Sequence, residues 1–283
     1  MVSRSELYRE CVGRLEEAGI PDSGFDVMCI FQDMLGDRNP LFRPLETVPD
    51  DAEMRIRDLT ARRCKGEPLQ YLLGEWEFWG YPFRVGEGVL IPRPDTETLI
   101  EDVLGICRRN GLVSPKIADL CSGSGCIAVT LKKELPRAQV CAVELSEAAL
   151  PYLRDNVKRN NADVRVIAAD VLSEQTRHLI GETDIIVSNP PYLTADEMTE
   201  LSPEVLREPS MALYGGADGL DFYRALTKMW KKPLKKGGFL CYEFGMDQHE
   251  AVGRILGENG FTDMKFSRDG GGIIRTVSAR YIG

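Results

Sequence analysis

The feature that most constrains the fold is an alternation of short apolar segments with helical segments, which begins at Lys116. Strands are predicted at 116–120, 138–145, 164–170, 184–189 and 237–244, and a helix at 126–135 follows the first of them. Continuous apolar strands that alternate with helices typically form a parallel sheet covered on both faces. Segments 261–267 and 273–281 surround three glycines and predict a closing antiparallel hairpin. The pattern therefore predicts an α/β fold with a mostly parallel seven-stranded sheet.

The N-terminal part of the chain has a different, helical pattern. Ser3 and Glu6 fit a capping box, and apolar residues then recur at helical spacing. A second apolar segment, 25–35, ends at Gly36, and a third, 51–64, is followed by Gly66 and Pro68. We therefore expect residues 1–73 to form a small helical bundle.

The connection between the two parts is rich in aromatic residues, glycines and prolines. Residues 74–91 are interrupted by Gly80, Pro82, Gly86 and Gly88, which predicts one or two short β-hairpins. The Pro-Arg-Pro sequence at 92–94 then stiffens the chain. An amphipathic helix is predicted at 96–109. We place the connection at 74–94 and the α/β domain at 95–283.

Composition narrows the classes of partner and compartment. The net charge is −9 and the pI is about 5.0, so the chain gains little from the phosphate attraction that drives non-specific nucleic-acid binding. Eight cysteines are scattered and only two histidines occur, which does not supply the clustered ligands of a zinc site. The N-terminal sequence shows no apolar h-region, so we expect no signal peptide, and no uncharged apolar run approaches the length of a membrane span. We expect a soluble cytoplasmic protein without a metal, a direct nucleic-acid partner or a membrane partner.

A glycine-rich turn after the first strand predicts a cofactor site. The strand ends at Asp119, the turn contains Gly123 and Gly125, and a helix begins near Cys126. Glycines there permit tight turning and close approach of a ligand, while amides at the helix start favour an anionic group. Glu144 ends the next strand, where an acid can accept hydrogen bonds from both ribose hydroxyls of a nucleoside. The turn and the acid together predict a nucleoside-containing cofactor without identifying it.

The sequence Asn189-Pro190-Pro191-Tyr192 follows the strand at 184–189 and predicts the chemistry. Because ligands of such sheets bind beyond the carboxyl ends of the strands, this motif is expected beside the cofactor turn. The Asn side-chain oxygen and a carbonyl of the stiff Pro-Pro segment can accept the two hydrogens of an NH2 group. Tyr192 offers a flat face to a planar substrate. The motif therefore predicts an acceptor with a planar amide or amino nitrogen.

These residues resemble a known family. The Asp-x-Cys-Ser-Gly-Ser-Gly loop, Glu144 and the Asn-Pro-Pro-Tyr motif are similar to class I methyltransferases that modify NH2 nitrogens. With the segments 67–80, 90–101 and 212–226, nearly the whole chain resembles the protein-(glutamine) methyltransferases of peptide chain release factors, often called PrmC or HemK. The resemblance implies a Rossmann-like fold and methyl transfer from S-adenosyl-L-methionine to the glutamine amide of the Gly-Gly-Gln motif.

The resemblance also assigns site residues. It implies acceptor binding and catalysis by Asn189, Pro190, Pro191 and Tyr192, with Glu144 on the ribose. Near the adenine it implies Asp170 and Val171. The full set expected at the cofactor is Asp119, Cys121, Ser122, Gly123, Ser124, Gly125, Glu144, Asp170, Val171 and Asn189.

The chain departs from the family pattern at two positions, and other functions stay open at this stage. The family loop usually has Gly at the position of Cys121, and the ribose acid is often Asp where this chain has Glu144. A ribosomal-protein glutamine methyltransferase and an adenine-amino methyltransferase acting on DNA or RNA would use the same motif. A nicotinamide dehydrogenase would explain the glycine turn but not Asn-Pro-Pro-Tyr, and a non-catalytic nucleoside sensor is a further alternative.

Overall fold

The computed structural model describes residues 2–36, 39, 41 and 43–283. The chain divides into two compact units. The first comprises residues 1–75 together with the short segment 202–207, and the second comprises residues 76–201 and 208–283.

Helices form the first unit: α1 (Arg4–Glu17), α2 (Ser23–Leu35), α3 (Asp50–Arg63) and the short α4 (Leu69–Leu73). The predicted capping box at the start of α1 is confirmed, because the Ser3 hydroxyl accepts from the Glu6 amide while the Glu6 carboxylate accepts from the Ser3 amide at 3.0 Å. Gly36 ends α2 in the left-handed conformation, with φ of +70°. The predicted helices at 25–35 and 51–64 are thus confirmed to within two residues, whereas α4 was not predicted.

A buried arginine connects segment 202–207 to the helices of the first unit. Arg63 is 3% exposed, and its guanidinium contacts Asp26 and Glu204, each at 2.6 Å. A guanidinium has five donors and must be paired when it is buried, because an unpaired buried charge is strongly unfavourable. Glu204 lies 141 residues away in the sequence, so the pairing completes the first unit from a distant part of the chain.

The second unit begins with one β-hairpin, β1 (Glu75–Phe78) and β2 (Tyr81–Arg84), followed by an extended segment and the helix α5 (Glu97–Asn110). The strands of its main sheet are β3 (Lys116–Leu120), β4 (Gln139–Glu144), β5 (Val164–Ala168), β6 (Thr183–Ser188), β7 (Leu234–Glu243), β8 (Phe261–Arg268) and β9 (Ile274–Tyr281). The helices between them are α6 (Cys126–Glu134), α7 (Leu150–Arg159), α8 (Glu174–Ile180), α9 (Asp221–Trp230) and α10 (His249–Glu258).

The sheet has seven strands in the order β5-β4-β3-β6-β7-β9-β8. The first five are parallel to one another, and β9 pairs antiparallel with both β7 and β8. This architecture confirms the predicted α/β fold with a mostly parallel sheet and a terminal antiparallel hairpin. All five parallel strands therefore end at the same edge of the sheet, where the predicted site residues lie.

Apolar side chains cover both faces of the sheet. One buried cluster contains residues of α5, α6 and α7, and the other contains residues of α9 and α10. Trp230 at the end of α9 is fully buried, and its indole N–H donates to the Val171 carbonyl at 2.9 Å. Such a bond satisfies the polar end of a large apolar ring and fixes the chain directly after β5.

Candidate active site

The predicted cofactor turn lies between β3 and α6, at the carboxyl edge of the sheet. Its backbone uses the left-handed region three times, with φ of +60° at Cys121, +53° at Gly123 and +81° at Gly125. A Cβ on Gly125 would come within 2.3 Å of the Leu153 Cδ1, so glycine is required there for the close packing of α7. At Gly123 a Cβ would meet nothing within 4 Å, which leaves this part of the turn open to a ligand.

Cys121 stands where the family usually has glycine, and the structure shows the consequence. It is a non-glycine residue in the left-handed region, a conformation that costs on the order of 1–2 kcal/mol. Burial raises the pKa of its thiol well above the ordinary value. The side chain therefore contributes a neutral thiol to the lining of the cavity described below.

Glu144 at the end of β4 holds two adjacent segments of the backbone. Its Oε2 accepts from the Gly123 amide and its Oε1 from the Ser146 amide, each at 2.7 Å. The carboxylate is 8% exposed. Each oxygen of an ionised carboxylate offers about two acceptor sites, so each retains one for a further donor such as a hydroxyl.

Other predicted residues of the turn lie behind this surface. Asp119 is fully buried, no described side chain or backbone amide hydrogen-bonds to its carboxylate oxygens, and burial raises its pKa to about 8. The Ser122 hydroxyl donates to the Asp119 carbonyl at 3.0 Å, and the Ser124 carbonyl accepts from the side-chain Nδ2 of Asn156 at 2.9 Å. These three residues shape and fix the turn from within.

A cavity of about 200 Å³ opens at this edge and joins the two predicted motifs. It is lined by the cofactor turn, the ends of β4, β5 and β6, and the segments before α5 and before α9. Among the predicted residues its lining includes Cys121, Gly123, Glu144, Asp170, Val171, Asn189 and Pro191. Asp170 also accepts from the Leu172 amide at 2.8 Å, which fixes the loop after β5. The cavity wall is mostly apolar with a few polar groups, as is typical of a cofactor site.

The Asn189 side chain has a defined orientation at the end of β6. Its Nδ2 lies 3.4 Å from the Thr96 hydroxyl oxygen, to which it donates. The Oδ1 of the same amide is an acceptor and does not take part in this contact. The next carbonyl, that of Pro190, accepts no hydrogen bond from any residue in the described part of the chain. Two oxygen acceptors therefore lie on consecutive residues of the motif.

Pro191 and Tyr192 are fixed by the glycine-rich segment that precedes α9. The Tyr192 amide donates to the Leu213 carbonyl at 3.1 Å, and its carbonyl accepts from the Gln248 side chain at 2.9 Å. Beside this backbone a Cβ on Gly215 would lie 2.6 Å from the Pro191 oxygen. Burial raises the pKa of the Tyr192 hydroxyl to about 12, so the ring stays neutral. The sequence Leu-Tyr-Gly-Gly at 213–216 thus serves to hold the Asn-Pro-Pro-Tyr backbone closely.

Sequence reasoning did not predict several residues of the site. Leu90 and Met211 line the cavity from outside the two motifs. Glu208 is 5% exposed, accepts from the Ile91 amide at 3.0 Å and pairs with Arg93, which fixes the Pro-rich segment beside the cavity. The only sequence signal was the family-like segment 90–101, whose residues could not be assigned roles without the fold.

Two known protein families match separate parts of the chain. A family described as "PrmC N-terminal domain" matches residues 6–74, and one described as "Methyltransferase small domain" matches residues 101–216. A relative from Geobacter sulfurreducens, named "Release factor glutamine methyltransferase", is 39% identical over 273 residues, which cover 95% of this chain and 93% of the relative. A relative of the same name from Koribacter versatilis is 37% identical over 280 residues and covers 97% of each chain.

The chain belongs to the release factor glutamine methyltransferase family. This assignment confirms the resemblance stated from the sequence, which rested on the cofactor turn, Glu144 and the Asn-Pro-Pro-Tyr motif. The match to the methyltransferase small domain, residues 101–216, lies mostly within the second unit.

Solved structures support the fold of this family member. The catalytic domain of human Mettl16, solved with an RNA hairpin, gives a TM-score of 0.57 at 15% identity and covers 83% of each chain. A methyltransferase from Pyrococcus furiosus gives 0.52 at 16% identity, with 83% of this chain and all of that chain covered. These similarities establish the class I methyltransferase fold and nothing about the substrate.

The described residues contain neither an evident membrane span nor an evident metal centre. No helix in them combines the length and apolar character that a membrane crossing requires. Their His, Cys, Asp and Glu side chains form no group of three or more that could hold a metal ion. All eight cysteines are free thiols.

Proposed function

We propose that this protein transfers the methyl group of S-adenosyl-L-methionine to the side-chain amide nitrogen of the glutamine in the Gly-Gly-Gln motif of peptide chain release factors, with S-adenosyl-L-homocysteine as the second product. The observation that carries this proposal is that Glu144 and Asn189 line one cavity. A nucleoside-binding acid and an acceptor for NH2 hydrogens therefore face the same space. The names of the family's members support the choice of release factors.

The residues of the cofactor turn fit this cofactor. Glu144 has a free acceptor site on each oxygen, suited to two ribose hydroxyls, and Gly123 leaves open space beside it. Asp170 and Val171 line the cavity after β5, where we assign the adenine. When bound, S-adenosyl-L-methionine supplies an electrophilic methyl group on its sulfonium sulfur.

The motif after β6 would position the glutamine amide. The Asn189 Oδ1 and the Pro190 carbonyl accept the two amide hydrogens, and the half-buried Tyr192 ring packs against the planar amide. Such fixed acceptors aim the nitrogen lone pair at the methyl group and favour the positive charge that develops on nitrogen. An amide nitrogen held in this way would take the methyl group from the sulfonium sulfur, which would leave as the thioether of S-adenosyl-L-homocysteine, and the nitrogen would release one proton to water.

Mass spectrometry of the substrate tests this function. Release factor is incubated with the protein and labelled cofactor, and parallel reactions contain ribosomal protein, tRNA or DNA. We expect one methyl group on the glutamine of the Gly-Gly-Gln motif and none on the nucleic acids. Labelling of ribosomal protein alone, or of an adenine amino group, would replace the proposed substrate with one of those alternatives.

We assign recognition of the protein substrate to residues 1–73, while residues 95–283 carry the chemistry and 74–94 connect them. A single glutamine side chain offers too little surface to distinguish one protein among many, and specific interfaces bury about 800 Å² per partner. The first unit exposes Phe25, Leu45 and Met54, which are 57%, 85% and 71% exposed. Large apolar side chains of this kind are suited to an interface.

Comparison of intact release factor with a short peptide that contains the glutamine tests this assignment. Replacing Phe25, Leu45 and Met54 by Ser in the full chain should raise the KM for intact factor by on the order of 10-fold and leave peptide methylation unchanged. Equal KM values for intact factor before and after replacement would assign recognition to other surfaces.

A further inference from the structure

A buried carboxylate lies beside Asn189 that the mechanism above does not use. Glu243 ends β7, whose parallel pairing with β6 places Tyr242 opposite Ser188. One residue further along each strand, Glu243 and Asn189 are therefore neighbours. Glu243 is 2% exposed, and its Oε2 accepts no hydrogen bond from the described residues. A buried carboxylate without a full set of donors is costly to the fold, so its presence here calls for a function.

Two polar side chains, those of Thr96 and Asn189, lie next to Glu243. Burial raises the pKa of this carboxylate, and the Thr96 hydroxyl and the Asn189 side chain lie close enough to it to lower that pKa in part. Thr96 is itself 2% exposed and lies on the turn before α5. Since Asn189 Nδ2 also donates to Thr96 Oγ1, the three side chains form one polar group, with Glu243 and Thr96 buried and Asn189 partly exposed to the cavity. We call this group the Glu243–Thr96–Asn189 relay.

Other charged and titratable groups surround the relay. Asp95, from the turn before α5, and Arg275, from β9, act on Glu243 through their charges with opposite effects. On the remaining sides, burial raises the pKa values of Tyr192 after β6, Tyr223 of α9 and Cys126 of α6, and the charge of Glu243 raises them further. These three groups are therefore neutral near pH 7. Glu243 is therefore the group of this set whose charge changes near neutral pH.

The direction of the hydrogen bonds in the relay depends on the charge of Glu243. An ionised carboxylate only accepts, so the Thr96 hydroxyl donates to it and presents its own lone pairs to Asn189. Asn189 then presents its Nδ2 to Thr96 and its Oδ1 to the opposite side. A protonated Glu243 can donate to Thr96, whose hydrogen is then free to turn toward Asn189. That arrangement favours an Asn189 side-chain amide rotated by half a turn, so that its Nδ2 and not its Oδ1 faces the amide of the substrate.

We propose that ionised Glu243 is the positioning residue that, through Thr96, holds the Asn189 side chain with its oxygen toward the acceptor amide. This inference rests on the proposed function and adds to it the group that orients Asn189. Glu243 does not contact the reacting atoms; its negative charge lies behind Asn189, where it also favours the positive charge that develops on the acceptor nitrogen.

The pKa of Glu243 gives the inference its measurable signature. Burial raises this pKa to about 7, with partial compensation by Thr96, Arg275 and Asn189. Above that pH Glu243 is ionised and the relay points in the productive direction, whereas below it Glu243 is protonated. The turnover number should therefore rise as the pH rises through about 7.

The experiment compares the full-length wild type with Glu243→Gln, Thr96→Val and Thr96→Ser across this pH range, with intact release factor as substrate. Gln at 243 keeps the size but carries a donor toward Thr96, and Val at 96 removes the relay hydroxyl that Ser retains. We expect the turnover number to fall by a factor of about 100 in Glu243→Gln and Thr96→Val, and the pH step to disappear. Thr96→Ser should behave like the wild type, and the affinity for S-adenosyl-L-homocysteine should be unchanged throughout.

Asp102→Asn provides the matched control. Asp102 is likewise a carboxylate that is 2% exposed, but it accepts hydrogen bonds from Lys265, Ser267 and Thr276. It is not one of the site residues. Its replacement should lower stability and leave the pH step in place. A Glu243→Gln enzyme that keeps the wild-type turnover number and pH step would overturn the inference, as would loss of the step in Asp102→Asn.

A second readout separates failure of the inference from failure of the proposed function. Carbon-13 NMR of the side-chain carboxyls, with the Glu243 signal assigned by its absence in Glu243→Gln, measures the titration without turnover. We expect a midpoint near pH 7 that moves upward in Thr96→Val, because a donor to the ionised form is lost. If wild-type protein does not methylate release factor, the proposed function fails. A Glu243 midpoint in the ordinary range that is unaffected by Thr96→Val overturns the relay whatever the substrate.

Discussion

Glu144 provides the sharpest test of the cofactor site, because the structure shows which donors its carboxylate already accepts and how many acceptor sites it retains. Each oxygen accepts one backbone amide at 2.7 Å, from Gly123 or from Ser146, and each keeps one acceptor site. In Glu144→Ala the hydroxyls of the ribose lose their charged acceptor. Hydrogen bonds to charged groups contribute about 1.5–3 kcal/mol, so binding of S-adenosyl-L-homocysteine should weaken by roughly 10- to 150-fold.

The same replacement has a second effect, which the assay must separate from the first. The amides of Gly123 and Ser146 lose their acceptor, and an unsatisfied, largely buried donor costs about 1–3 kcal/mol. We therefore expect a lower melting temperature as well as weaker binding. Calorimetric titration well below the melting temperature measures the affinity of the folded protein alone.

Asp184→Ala is the matched control for Glu144→Ala. Asp184 accepts from the Lys116 amide at 2.8 Å and from the Lys235 ammonium at 2.7 Å, at the amino edge of the same sheet. Its loss should lower the melting temperature and leave cofactor affinity unchanged. The reasoning is refuted if Glu144→Ala binds S-adenosyl-L-homocysteine as the wild type does, or if Asp184→Ala weakens binding equally.

Three further predictions follow from the site. Asn189→Ala should lower the turnover number by roughly 10²–10³ with cofactor affinity retained; near-normal methylation of the glutamine would refute its assigned role. Gly125→Ala should destabilise the fold more than Gly123→Ala in denaturant titrations, since only the former places a Cβ within 2.3 Å of Leu153; equal losses would argue against the packing. The free energy of unfolding should fall as the pH rises from about 5 to about 8, because burial raises the pKa of Asp119 to about 8 and of Glu243 to about 7, and the folded state retains protons that the unfolded state has released. Asp119→Asn should make this slope shallower, and an unchanged slope would contradict the assignment.

The sequence predicted the fold where local patterns and long-range packing agree. The parallel strands are continuous apolar runs that admit few alternatives. The helices α4, α8 and α9 were not predicted. The first two are only five and seven residues long, so their periodicity is too brief to distinguish from a loop. Helix α9 begins within the segment 212–226, where the sequence shows a family resemblance and no secondary structure was predicted.

The site was predictable for residues that belong to contiguous motifs. Cys121, Gly123, Glu144 and Asn189 line one cavity as expected from strand ends in a parallel sheet. The contribution of Glu243 was not predictable, because Tyr-Glu-Phe reads as an ordinary strand end and its neighbour Thr96 is 147 residues away. Only the register between β6 and β7 reveals that the carboxylate lies beside Asn189.

The membership of segment 202–207 in the first unit has a consequence for how the chain is made. The ribosome completes the helices α1 to α4 long before it reaches Glu204, which lies 141 residues after Arg63. Until then the buried guanidinium has only one of its two carboxylates, that of Asp26. The N-terminal unit therefore cannot reach its final structure during its own synthesis, and its last ion pair forms after most of the methyltransferase sheet has emerged. Its completion therefore depends on a segment that is synthesised after β6 and before α9.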